Sequence, residues 1–65
     1  MTRETLLKLN ATQRFVVETT RDSYKKGYIS HEIALASIGG YAKGLRDAGV
    51  ITERDRQVLV SYTLI

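Results

Sequence analysis

The chain has 65 residues, 43% of them apolar, with ten Lys or Arg against seven Asp or Glu, a net charge of +3, and neither Cys nor Pro. That length makes one small domain, 1–65, which buries only about 60% of the surface its unfolded form exposes. Disulfides and thiolate metal sites are excluded as supports, and the lone His31 cannot build a zinc site, so oligomerisation is the remaining staple. No run of 18 apolar residues and no charged-then-apolar leader occurs, which argues against a membrane span or secretory signal and for a cytoplasmic setting. The positive balance favours an anionic partner.

The first predicted element, 2–26, is one helix or two, because Asn10 with Gln13 can cap a fresh start. Its apolar set, Leu6, Leu7, Leu9, Ala11, Phe15, Val16, Val17 and Tyr24, is crowded early, so it packs mostly through its first half. Arg14, Glu18, Arg21, Asp22 and Lys25 alternate in sign and read as a solvated, self-paired stripe. Lys26-Gly27 stops this segment. Ser30 then caps a central helix, 30–48, with Glu32 in its first turn. Ala34, Ile38, Tyr41, Leu45 and Ala48 give it a buried face, broadened by Ile33, Leu35 and Ala42. Gly49 ends it as the left-handed residue of a Schellman stop, with Val50 set to reach Leu45.

Thr52 with Asp55 forms a capping-box variant that opens the last segment, 52–64. Val58, Leu59, Tyr62 and Ile65 fit one helical face, whereas Val58, Val60, Tyr62 and Leu64 alternate as a strand would. A lone strand has no partner in an otherwise helical chain, so helix is expected. The predicted class is all-α, a small bundle of three helices, or four if 2–26 divides, completed by oligomerisation.

Within the central helix Ala36, Gly40, Gly44 and Ala48 place a small residue at every fourth position. Each glycine there costs roughly 0.8–1 kcal/mol relative to Ala, so something is expected to press close to that face. Either a second helix or a ligand would use the bare backbone.

The stretch from Gly44 to Leu59 resembles the SHOCT helical-hairpin module through its Leu-x-x-Ala-Gly-x-Ile-Thr-Glu turn, here Leu45, Ala48, Gly49, Ile51, Thr52 and Glu53. The acidic-then-Phe pair and Lys-rich tail of that module are replaced by Arg54-Asp55-Arg56. The resemblance implies an interaction or oligomerisation element without catalysis. The chain as a whole resembles small helical accessory proteins of phages and prophages, which implies a compact, self-assembling protein that binds host or nucleotide targets.

Catalysis is not expected. Ser30, His31 and Glu32 diverge on one helical turn, and no phosphate loop, HExxH motif or paired carboxylate is present. Two groupings stand out as anion-binding candidates. Tyr41, Lys43 and Arg46 beside Gly40 and Gly44 combine a ring, two cations and bare backbone, although Lys43 points about 160° away from Tyr41 and can pair with Asp47. Tyr24, Lys25, Lys26 and Tyr28 bracket two ammonium groups with aromatics at a helix end.

These features favour a non-enzymatic, homo-oligomeric binding protein that captures an anionic small molecule, such as a nucleotide or cyclic nucleotide, between helices, without cofactor or metal. The alternatives are a nucleic-acid-binding regulator, against which Glu53 and Asp55 at the head of the last helix argue, and an inhibitor or adaptor of a host protein.

Overall fold

The computed structural model of the chain describes residues 2–65, which form α1 (Thr2–Leu7), α2 (Ala11–Lys25), α3 (His31–Asp47) and α4 (Glu53–Leu64). The architecture is a small all-helical bundle. The segment 2–26 is two helices, divided because Asn10 takes an extended backbone (ψ 175°) and builds a reciprocal capping box. Its side chain accepts from the Gln13 amide at 2.8 Å, and the Gln13 side-chain oxygen accepts from the Asn10 amide at 2.9 Å. The break turns Leu9 into the core, where it is buried.

Both glycine stops take the expected form. Gly27 and Gly49 have φ of +77° and +78°. At each, the amide two residues past the cap reaches back to close a Schellman motif, Tyr28 to the Ser23 carbonyl at 2.9 Å and Val50 to the Leu45 carbonyl at 3.0 Å. Ser30 caps α3 by accepting from the Ile33 amide at 3.2 Å.

The last segment is helical, and it is the hub of the bundle: α4 packs on α1, α2 and α3. The core gathers Leu9, Val17, Ile38, Ala42, Leu45, Ile51 and Leu59, with Leu6, Tyr41, Val50, Val60 and Tyr62 packed against it. The innermost line of α4 is Asp55, Leu59 and Thr63, at four-residue spacing. Two of those three positions are polar, which is why its apolar residues describe no clean stripe. Each polar member is satisfied. Thr63 Oγ1 donates to the Leu59 carbonyl at 2.9 Å, while Asp55 accepts from Thr5 Oγ1 at 2.7 Å, Lys8 Nζ at 2.6 Å and the Thr52 amide at 3.1 Å. Asp55 therefore caps α4 and ties α1 down onto it.

Several residues expected inside lie outside. Leu7, Phe15 and Ile65 are 66%, 69% and 74% exposed, and Ile33 and Leu35 flank the α3 core face in solvent. Ala48 is exposed as well. The α3 seam that does bury is narrower than expected, Ala34, Ile38, Ala42 and Leu45, because only α2 and α4 pack on this helix closely.

Candidate ligand site between α1, α2 and α4

Arg21 leaves α2 and lies across α4. Its Nε donates to the Tyr62 carbonyl at 3.0 Å, and its guanidinium carbon stands 4.6 Å from the centroid of the Tyr62 ring. The Tyr62 hydroxyl in turn donates to Glu18 Oε1 at 2.5 Å, one turn before Arg21 on the same helix. Accepting that proton and partial burial both hold the Tyr62 phenol above its ordinary pKa, Glu18 having the larger effect. Arg21 is thus fixed by a charge-assisted hydrogen bond and a cation–π contact, and among the described residues its Nη groups make no hydrogen bond. The solvated, self-paired stripe expected for this part of α2 is corrected at Arg21 and Glu18, since both reach α4.

Beside this contact lies a cavity of about 370 Å³. Thr2 of α1, Arg21 of α2 and Arg54, Gln57, Ser61 and Tyr62 of α4 supply its polar lining, with Val58 and Ile65 as the apolar wall. Two arginines line it, and among the described residues no Asp or Glu side chain does. Arg54 sits in sequence between two acids, yet neither pairs with it. Glu53 accepts from Arg56 at 2.6 Å and Arg46 at 2.5 Å, and Asp55 from Lys8. Arg56 and then Arg46 hold the Glu53 carboxyl down to about 2.

The residues singled out from the sequence fall elsewhere. Gly40 and Gly44 lie on an exposed face of α3, and a Cβ built on either would meet nothing within 4 Å. Within the described residues nothing presses on these glycines, contrary to the expected close approach. Tyr41 is half-buried against the core. Lys43 is exposed, and its expected partner Asp47 is taken by Arg46 at 3.1 Å. Arg46 is clamped between Asp47 and Glu53, leaving it poorly placed to receive an anion. In the second grouping, Tyr24 meets His31 edge to face at 5.8 Å, Lys26 pairs with Asp22 at 3.1 Å, and Tyr28 and Lys25 project into solvent. Neither grouping lines the cavity.

The cavity's residues were separable from the sequence only in part. Arg54, Gln57, Val58 and Ser61 recur at spacings of three and four along one face of α4, with Ile65 just past its end. Nothing local says that Arg21 or Thr2 joins them. Comparison with protein-family models, curated proteins and solved structures finds no match to this chain. Among the described residues no cluster of His, Cys, Asp and Glu is suited to a metal ion, and no helix is long and apolar enough to cross a membrane.

Proposed function

We propose that this protein is a non-enzymatic binding protein that captures an anionic small molecule of nucleotide type in the cavity between α1, α2 and α4. The observation that carries this reading is the pair of arginines, Arg21 and Arg54, lining one 370 Å³ cavity with no Asp or Glu side chain among the described lining residues. Its volume falls at the lower end of ordinary ligand pockets, which run from about 300 to 1,000 Å³. Guanidinium groups fit phosphate and carboxylate oxygens in paired hydrogen bonds, so two of them from different helices favour an anion over a neutral ligand. The proposed site moves accordingly from Tyr41, Lys43 and Arg46 on α3, and from Tyr24, Lys25, Lys26 and Tyr28 at the end of α2, to Arg21 and Arg54.

The deciding experiment is a calorimetric screen of nucleotides, cyclic nucleotides and oligonucleotides. Binding of a mononucleotide that Arg54→Gln weakens and Arg46→Glu leaves intact supports this reading. Preference for oligonucleotides with a steep salt dependence would favour the nucleic-acid reading instead. Silence toward every anion would leave a protein partner as the better proposal.

Self-association belongs to the same proposal. The uncharged α3 face of Ile33, Ser37, Gly40 and Gly44 has glycines that no intrachain contact requires, and a second copy of the chain would give them a purpose. Light scattering at micromolar concentration tests this, a monomer being the contrary result.

A further inference from the structure

Resting on the self-association reading above, we propose that two copies of the chain pair antiparallel through α3 about a two-fold axis, with Glu32 of each copy meeting the partner's Lys43. In the same contact Ile33 seats between the partner's Gly40 and the partner's Gly44. Charge sets this face apart from a bare row of small residues. Among the described residues Glu32 is the only Asp or Glu side chain without a hydrogen bond or ion pair, and Lys43 is the only Lys or Arg of α3 in the same condition. Arg46 takes Asp47, the acid that Lys43 would reach along its own helix. Both Glu32 and Lys43 are exposed.

Lys43 follows Glu32 by eleven residues, which puts the two about 20° apart around α3 and about 16 Å apart along it. They share one flank and cannot meet within one chain. In an antiparallel pair related by a two-fold axis each flank faces the same flank of the other copy, so an acid near one end and a cation near the other become partners, twice. A parallel pair would instead set like charge against like charge at both positions. The register that levels Glu32 with the partner's Lys43 also levels Ile33 with the partner's Ala42, midway along the helix between the partner's Gly40 and the partner's Gly44. Ile33 is 55% exposed, and a Cβ built on Gly40 or Gly44 would meet nothing within 4 Å. A bulky side chain without cover therefore faces two positions without side chains, which lets the helices approach at the short end of the usual range of about 8–10 Å. Ser37 falls level with the gap between the partner's Ala36 and the partner's Gly40, so the line of contact between the two ion pairs carries no charge.

The test is sedimentation equilibrium of the full chain and its charge-reversed variants at low salt. The natural chain should be dimeric at micromolar concentration. Glu32→Lys and Lys43→Glu should each weaken the dimer at least about tenfold with the helical circular dichroism unchanged, since symmetry makes each change oppose like charges twice. An equal mixture of the two variants should restore the dimer, as should both changes in one chain. The sequence has no Cys, so disulfide trapping reads the direction of pairing. Ser37→Cys lies close to the two-fold axis and should cross-link on oxidation, whereas the two copies of Ile33→Cys lie about 13 Å apart along the helices and should not. A dimer that both charge reversals leave intact, folded variants that mixing fails to rescue, or ready trapping through Ile33→Cys overturns the antiparallel pairing while leaving self-association standing. A monomeric natural chain removes the self-association reading itself.

Discussion

Asp55 does the work of several residues. It receives Thr5, Lys8 and the Thr52 amide, and so joins the start of α4 to the first helix. Asp55→Ala removes a cap and leaves the buried Thr5 hydroxyl without its acceptor, and should cost about 2–4 kcal/mol in urea unfolding. The hydrogen bond from Lys8, then that from Thr5, holds the Asp55 carboxyl below its ordinary value in the folded chain. A depressed folded pKa contributes stability that is present above the unfolded pKa of about 3.9 and is lost as pH falls toward the folded value. The gap between the natural chain and Asp55→Ala should therefore be flat from pH 5 to 7 and narrow below about pH 4. A gap that stays constant to pH 2 would place the stabilisation in packing rather than in the charged form.

The helices divide their glycines into two kinds, and substitution by alanine should separate them. Gly49 has φ +78° at the end of α3, where an L side chain is strained, so Gly49→Ala should destabilise by about 1 kcal/mol or more. Gly40 lies within α3 with open space around its missing Cβ. Gly40→Ala should therefore stabilise the isolated fold by roughly 0.8–1 kcal/mol. If α3 pairs with a second copy, the same change should weaken the assembly, and Gly44→Leu should dissociate it while leaving helix content intact. Thermal melts read the first effect and light scattering the second; a Gly44→Leu variant of unchanged mass would remove α3 as the contact. Caps are legible by the same local logic. Asn10→Ala should cost about 1 kcal/mol, because α2 starts only where Asn10 and Gln13 satisfy each other's amides.

For the molecule as a whole, ligand binding should appear as stability. A domain of 65 residues has a small unfolding entropy, so each kcal/mol moves its melting temperature by about 4–8 °C. A ligand at a hundred times its dissociation constant adds about 2.7 kcal/mol. AMP at that excess should therefore raise the melting temperature by more than about 10 °C, and Arg54→Gln, at about a tenfold loss of affinity, should cut the rise to about half without changing the melt of the unliganded chain, since Arg54 makes no ion pair among the described residues. A shift that is undiminished in Arg54→Gln would move the site away from this cavity.

The helical class, the stops at Gly27 and Gly49 and the caps at Ser30 and Thr52 were readable from the sequence by itself, because each depends on residues within about five positions of one another; Asn10 was readable as a candidate cap, and the structure decided that it divides 2–26. The period of α3 was readable for the same reason, though not its width: Ile33 and Leu35 are apolar, and only the placement of the other helices determines that they face solvent. Tertiary structure alone decided that α4, with Asp55 and Thr63 at core positions, is the hub, since a polar residue becomes a core residue only when a distant partner such as Thr5 or Lys8 arrives to satisfy it. It likewise decided the candidate site. Thr2, Arg21 and Arg54 are far apart in the chain and carry no shared spacing; they line one cavity because α1 and α2 both pack on α4, and a side chain's freedom from an ion pair depends on where its neighbours' carboxylates have turned.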